Sequence, residues 1–413
     1  MRLIIVGSGV VGAACAYTAS SLGARVMLVD AAWPGQATAA GAGIICPWTA
    51  AVDDPAWYGF ARAAARQYPA LIADLKERGE SDVSYARVGA LLVGDDDQLE
   101  QASQRLSARR AAAPEIGEVV LMDDRQAREE FPPLRRGATA LFIPGAARVD
   151  GRRLAAALIR AATRLGATTR TGEAKLAYRP DRPVRPSDAV CPRDADRPSD
   201  ADRSRDADRT RDPDRASRVT GVTVDGDLIE ADAVVAAAGA WTAALVAPLG
   251  VTIRVVPQRG QIAHIGLGDT DTSRWPVVLP SATGHYLLAF DGSRVVAGAT
   301  RETGSGFDVR VTPGGLAEVL ANALAVAPGL STGTLLETRV GLRPAGPDIR
   351  PLLGPVAGVD GLVVATGLGA SGLTMGPLAG AVAARTALGL PPDQTDPPNP
   401  PNPPDLAPFD PLR

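Results

Sequence analysis

Cysteine is scarce: Cys15, Cys46 and Cys191 are the only three in 413 residues, and their spacing forms no framework. That argues against a secreted disulfide scaffold and against a zinc site, and no metal is expected. Histidine occurs only as His264 and His285. Charge of one sign is not in excess, since 43 basic residues face 46 acidic ones for a net −3. No bulk attraction to nucleic acid or anionic membrane follows from such a balance. Long hydrophobic runs are missing too. Gly7, Ser8 and Gly9 interrupt the apolar residues after Arg2 before a signal-peptide core forms, and Val10 to Leu22 is too short and mixed to span a bilayer. The expectation is a cytoplasmic protein without an integral membrane segment.

A hydrophobic share of 46 % and a charged share of 22 % are those of an ordinary globular protein, and the length suggests two or three domains. Leu3-Ile4-Ile5-Val6 is short and fully apolar, as a central parallel strand buried on both faces should be. The alanine-rich stretch Val10 to Leu22 suits a helix stopped by Gly23, and Arg25 to Asp30 a second strand. Helices are expected over Pro55 to Arg78 (one or two), Asp97 to Ala111, Arg152 to Leu165, Ala317 to Val326 and Gly376 to Leu388. Strands are expected at Gly89 to Gly94, Val219 to Val224, Leu228 to Ala237, Arg254 to Ile265, Val277 to Leu279, Tyr286 to Phe290, Arg294 to Gly298 and Leu362 to Ala365.

Two segments stand apart. From about Arg179 to Arg218 apolar residues nearly vanish and a six-residue repeat runs through Asp194, Asp200, Asp206 and Asp212. Such a segment cannot bury enough surface to offset its ordering entropy, so a disordered insertion is expected. Its Asp-x-Asp units resemble a cation loop, but the interleaved arginines cancel the carboxylates and no glycine makes the turn. The proline-rich stretch 391–413 should form an extended, mobile tail.

Gly7-Ser8-Gly9-Val10-Val11-Gly12 is a G-x-G-x-x-G run with a strand before it, a helix after it and a second strand ending in Asp30. Gly7 permits the tight turn, Gly9 lets backbone approach a pyrophosphate, and Gly12 lets helix and strand pack closely. The amides of the helix start favour phosphate. Asp30, 18 residues beyond Gly12, stands where a carboxylate accepts from ribose hydroxyls and disfavours a 2′-phosphate. Two later apolar runs end in glycine turns, Asp232 to Trp241 and Leu362 to Gly372, as when the chain returns to the same sheet.

Taken in order, these motifs resemble the D-amino-acid oxidase and dehydrogenase superfamily of FAD enzymes, which includes glycine oxidase, sarcosine oxidase and D-amino-acid dehydrogenase. Besides the fingerprint with Asp30, the likeness rests on Thr38 to Ile45, Val234 to Trp241, Pro257-Gln-Arg-Gly-Gln261, Val295 to Thr300 with Glu302, Gly341-Leu-Arg-Pro-Ala-Gly-Pro-Asp348 with Pro351 and Gly354, and Gly367 to Pro377. It covers Met1 to about Gly389 apart from the charged insertion.

The resemblance implies an α/β fold with a Rossmann-like FAD-binding domain and an α+β substrate domain carrying a mixed or antiparallel sheet. The FAD-binding domain would be assembled from 1–82, 146–178, 219–250 and 340–390, and the substrate domain from 83–145 and 251–339. It implies that Gly7, Gly9, Val10, Val11 and Gly12 hold the FAD pyrophosphate, and Asp30 the adenosine ribose. Thr38, Ala39, Gly41 and Gly43 would run beside the flavin, with Ala174 at adenine and Gly239 at the ribityl side. Gly369, Ser371, Gly372 and Leu373 would hold the pyrimidine end. Neither histidine, and no cysteine, falls where relatives attach flavin, so non-covalent FAD is implied.

The catalytic candidates are Arg343, whose guanidinium would fork onto a substrate carboxylate, and Tyr286, whose hydroxyl would touch the same group. An Arg343–Asp348 pair is the structural alternative. The implied reaction passes a hydride from the Cα of a D-amino acid or glycine to flavin N5, and the resulting imine hydrolyses to a keto acid and ammonia. Reoxidation would be by oxygen or another acceptor. Oxidation of an N-methyl or cyclic imino acid, or flavin binding without catalysis, are the alternatives. Homo-oligomerisation stays open. The family's Pro-plus-basic pair after the tyrosine is Ala289-Phe290 here, and its "G-H-G" is Gly367-Leu368-Gly369, so these positions do not identify the substrate.

Overall fold

The computed structural model describes residues 1–180, 217–391 and 406–413. The expected insertion, its Asp-x-Asp units and Cys191 lie for the most part or wholly outside them. Two large sheets carry the α/β fold. The first has a parallel centre in the order Thr168–Thr171, Arg25–Asp30, Arg2–Val6, Ala233–Ala236, Val359–Thr366. Leu3 and Ile5 pack into one core with residues of the helices Val10–Ser21, Pro55–Glu77, Gly151–Arg164 and Gly372–Ala387. Ile4 and Val6 pack on the other face with Val219, Val222, Val224 and Val364. Burial on both faces is the physical reason for the unbroken apolar run.

Ser217–Val224 joins Val359–Thr366 in parallel and carries Ala174–Pro180 and Asp227–Glu230 antiparallel to itself, and Leu352–Val356 pairs antiparallel with Val359–Thr366. Asp227–Glu230 and Ala233–Ala236 are separate strands, where one strand over Leu228 to Ala237 is expected from the sequence. The chain turns at Ala231-Asp232, where the amide of Asp232 donates to the Arg2 carbonyl (2.9 Å) and the Asp232 carboxylate accepts from the Arg2 amide (2.6 Å). The last long helix begins at Gly372 rather than Gly376, because Pro377 is tolerated inside it.

The second sheet is mostly antiparallel, ordered Val256–Gly266, Arg294–Gly298, Tyr286–Phe290, Val277–Pro280, Ala90–Gly94, Thr139–Ile143, Val120–Met122. Its one parallel pairing joins Val277–Pro280 to Ala90–Gly94. Thr334–Ala345 pairs along the length of Val256–Gly266, so it belongs to this sheet, and the expected domain boundary at 340 cuts through a continuous strand. Successive residues alternate between two cores. Ile262, Leu288, Phe290 and Val296 face the helices of the first sheet, with Tyr286 packed at that face. Ala263, Leu287, Ala289 and Val295 face residues of the helix Pro313–Val326.

The tail expected to be mobile is docked over its final eight residues. Phe409 is buried, with its ring 5.2 Å from that of Phe60. The Arg413 guanidinium donates to Asp348 (2.8 Å) and to the carbonyls of Arg350 (2.6 Å) and Pro351 (2.9 Å). An aromatic and a guanidinium at the far end outweigh the proline content before them. Phe409→Ala should cost about 3 kcal/mol and lower the thermal unfolding midpoint by several degrees, read by circular dichroism. An unchanged midpoint would show that the docked end adds nothing.

Candidate active site

The glycine turn opens the helix Val10–Ser21. Gly7 has φ +107°, and a Cβ there would come within 2.4 Å of the Ala237 carbonyl oxygen. A Cβ at Gly12 would lie 1.8 Å from the Gly7 carbonyl oxygen, so that position must be bare for the helix to leave the strand at all. The Asp30 carboxylate accepts from the amides of Ser8 and Ala32 (2.6 Å each) and from Gln36 Nε2 (3.0 Å), which ties the second strand to the turn. Thr38 Oγ1 accepts from the Val10 amide at 3.0 Å, bringing the next segment against the helix start.

A cleft of about 520 Å³ runs from this turn across the strand ends of the first sheet. Gly7, Gly9, Val10, Val11, Asp30, Thr38, Ala174, Gly239, Gly369, Gly372 and Leu373 line it, from sequence positions more than 360 residues apart. A Cβ at Gly239, Gly369 or Gly372 would meet no other protein atom within 4 Å, so these positions leave bare backbone facing open space. A long cradle with amides at one end, an acid at the strand tip and open glycine backbone at the other fits a dinucleotide such as FAD.

The other expected cofactor residues sit elsewhere. Gly41 and Gly43 permit close packing, against Leu373 and the Val149 carbonyl respectively. The Ala39 carbonyl accepts from Arg152 Nε (3.0 Å), within a short helix Ala37–Ala40. Ser371 precedes the helix Gly372–Ala387, its amide donating to the Leu368 carbonyl at 2.9 Å.

Arg343 and Tyr286 share one face of the second sheet. Arg343 pairs with Gln258, two residues from Gly260, while Gly298 pairs with both Ile262 and Tyr286. Side chains at Gly260 and Gly298 are absent where they matter: a Cβ at Gly260 would stand 2.5 Å from the Arg343 guanidinium, and one at Gly298 2.5 Å from the Tyr286 hydroxyl. This face turns toward the segment 38–45. Gly341, two residues from Arg343, abuts Ala40, and Ile262 lines a small void with Thr38, Ala39, Gly41 and Ala42. Leu342 and Pro344, on either side of Arg343, line the large cleft.

The Arg343 guanidinium donates to the Thr300 carbonyl at 2.9 Å and has no carboxylate partner among the described residues. Asp348 pairs with Arg413 instead, so the alternative Arg343–Asp348 pair does not form. Burial lowers the pKa of Arg343, the Tyr286 phenol opposes that, and Arg301 adds to it. Burial pushes the Tyr286 phenol up to about 12 against the pull of Arg343 and Arg301, so it is a neutral donor at any ordinary pH. Cys46 is buried and its thiol is pushed up to about 12 by that burial, which makes it inert. His264 is held near 4 by burial and by Arg339, and is neutral.

Several cleft residues were not singled out from sequence. Trp33 and Trp241 meet with ring centres 5.6 Å apart, and Trp241 stacks on Phe307 at 5.3 Å. Lys175 and Leu176 line the cleft beside Ala174. Thr366 Oγ1 donates to the Gly239 carbonyl at 2.8 Å and joins two of the strand ends. Trp241 closes a quoted motif and Trp33 follows the strand acid closely, so adjacency was the only available signal.

A family described as "FAD dependent oxidoreductase" matches residues 2–386. The chain is 42 % identical over 410 residues to the uncharacterised oxidoreductase YurR of Bacillus subtilis, covering 99 % of this chain and 98 % of that one. It is 30 % identical over 378 residues to glycine oxidase of Pseudomonas aeruginosa, covering 91 % and 92 %. Among solved structures it is similar to iminodiacetate oxidase IdaA of Chelativorans sp. BNC1, with 43 % identity, 99 % and 98 % coverage and a TM-score of 0.84.

Gly372 offers a direct test of the cleft. Gly372→Leu adds a side chain that meets no protein atom at its Cβ but projects into the cradle. Stripped of cofactor, the variant should unfold at the temperature of the wild-type apoprotein, yet on reconstitution it should hold little FAD, measured by visible absorbance per protein. Full FAD content would rule out the cleft as the cofactor site.

Proposed function

The chain belongs to the FAD-dependent oxidoreductase family, and from that premise we propose that it oxidises the carbon–nitrogen bond of a small amino acid held by its carboxylate. The observation that carries the proposal is Arg343: a largely buried guanidinium with no carboxylate partner among the described residues, beside a neutral phenol, on the sheet face turned toward Thr38 to Gly43. A fork of two N–H donors fits a carboxylate, and burial strengthens each bond. Tyr286 adds a third donor without adding charge.

In this reading Gly7, Gly9, Val10 and Val11 would hold the pyrophosphate, Asp30 the ribose, Ala174 the adenine and Gly239 the ribityl chain. Gly369, Ser371, Gly372 and Leu373 would hold the pyrimidine end. Thr38, Ala39, Gly41 and Gly43 would border the ring, with Gly12 supporting the turn through packing. Bound FAD supplies a two-electron acceptor for the Cα hydrogen and its electron pair, leaving the substrate as an imine that water hydrolyses. Arg343 and Tyr286 orient Cα; the carboxylate fixes one end of a small substrate, which limits how the rest can lie. No side chain is needed to remove a proton from Cα, provided that the amine arrives unprotonated.

A primary amine such as glycine or a D-amino acid would give an oxo acid and ammonia. The similarity to iminodiacetate oxidase supports a second reading, in which the nitrogen is secondary and the products are an oxo acid and a primary amine. Oxygen or another acceptor reoxidises the flavin, and the setting is cytoplasmic, in keeping with free buried thiols at Cys15 and Cys46.

Arg343→Leu should raise KM about 100-fold, the effect of losing about 3 kcal/mol of charge-assisted hydrogen bonding, while FAD content stays at the wild-type level. Normal steady-state kinetics in that variant would sink the carboxylate role. Tyr286→Phe should raise KM by about tenfold. As pH rises, kcat/KM should climb while the substrate amine loses its proton. Tyr286, protonated until about 12, should add no limb of its own below that range. A limb near pH 9 that vanished in Tyr286→Phe would contradict this assignment.

A further inference from the structure

We propose that Arg301 is a second anion-binding residue of the substrate site, selecting substrates whose amine nitrogen bears a second, carboxymethyl arm. This rests on the secondary-amine form of the function proposed above and assigns the other end of that substrate.

Three side chains in this region are laid on bare backbone in the same way. The Arg343 guanidinium covers Gly260, the Tyr286 phenol covers Gly298, and the Arg301 guanidinium covers Gly284, where a Cβ would stand 2.3 Å from its Nη1. Gly284 lies two residues before Tyr286, and Arg301 directly follows Thr300, whose carbonyl accepts from Arg343. Both guanidinium groups act electrostatically on the Tyr286 hydroxyl, and Arg301 acts on Arg343.

The charge balance is what points to a dianion. Arg343 has no ion pair among the described residues, and Arg301 has neither an ion pair nor a hydrogen bond among them. The nearest acid in sequence, Glu302, acts on Arg343 electrostatically but accepts its hydrogen bonds from other groups. Its carboxylate accepts from Arg259 Nε (2.9 Å), Gln261 Nε2 (2.7 Å) and Thr300 Oγ1 (2.7 Å). Asp308 is likewise taken by Arg259 and Arg310. Two like charges acting on one neutral hydroxyl disfavour each other, and a ligand with two carboxylates meets both where one carboxylate meets only one. Arg343 is largely buried and Arg301 exposed, so the inner carboxylate would meet the first and the outer carboxylate the second.

The test compares two ethers that resemble the substrate but have no amine to oxidise. Diglycolate carries a carboxylate on both arms and methoxyacetate on one. Titrated calorimetrically into the FAD-loaded enzyme, diglycolate should bind at least about tenfold more tightly than methoxyacetate. Arg301→Gln should bring the two affinities together, and Arg301→Lys should restore part of the difference. Gly284→Ala, which displaces the flexible end of Arg301 without a backbone clash, should shrink the difference as well.

Equal binding of the two ethers to the wild type, or a preference that survives in Arg301→Gln, overturns the assignment. Anaerobic flavin reduction with iminodiacetate, D-aspartate, sarcosine and glycine separates the remaining cases. Reduction by D-aspartate but not iminodiacetate places the second carboxylate on the side chain and overturns the nitrogen-linked form. Reduction by sarcosine or glycine with equal ether binding removes Arg301 alone, leaving the proposed function in place. No reduction by any of the four, nor by D-alanine and D-proline, removes the proposed function itself.

Discussion

A guanidinium laid over Gly260 with no ion pair among the described residues is the constraint around which the proposed substrate side is arranged. Removing a cation from water is costly unless something of opposite sign compensates it. Here the Arg343 guanidinium donates to a single backbone carbonyl among the described residues, that of Thr300. The acids in the vicinity are engaged with other arginines: Glu302 with Arg259, Asp348 with Arg413. The fold thus leaves one largely buried guanidinium without an ion pair among the described residues, and lays the Tyr286 hydroxyl on the same sheet face.

The cofactor side depends on a different device. No single stretch of chain could form the cleft, because its walls come from the N-terminal turn, the strand at Ala174, the turn at Gly239 and the turn at Gly369. The parallel strands present their carboxyl ends along one edge, and the antiparallel strand Ala174–Pro180 begins at that edge opposite Val224. Small ties then fix the pieces to one another: Thr38 to the Val10 amide, Thr366 to the Gly239 carbonyl, Tyr68 to the Leu373 carbonyl. Thr334–Ala345 joins the two halves, with Leu342 and Pro344 on the cleft and Arg343 on the adjoining sheet face.

Much of this was legible in the sequence, for local reasons. The Leu3 to Val6 run, the glycine spacing and the acid at Asp30 encode a buried strand, a tight turn and a strand tip within about 30 residues. Arg343 was legible through its motif. The engagement of Asp348 by Arg413 was not, because that pair joins positions 65 residues apart through a tail whose composition suggests mobility. The roles of Gly260, Gly284 and Gly298 as floors under polar side chains were hidden for the same reason. A glycine in a strand reads as a weak position until the side chain lying on it is known. Arg301 carries no sequence signal beyond its place between Thr300 and Glu302.

The central claim is that this flavoenzyme recognises its amine through a carboxylate. The most direct measurement is anaerobic reduction of the bound flavin by matched pairs of amines with and without that group: sarcosine against dimethylamine, and glycine against methylamine. The account predicts bleaching of the visible flavin band by at least one carboxylate-bearing partner, and none on the same time scale by its counterpart. Equal bleaching by dimethylamine and sarcosine would contradict it.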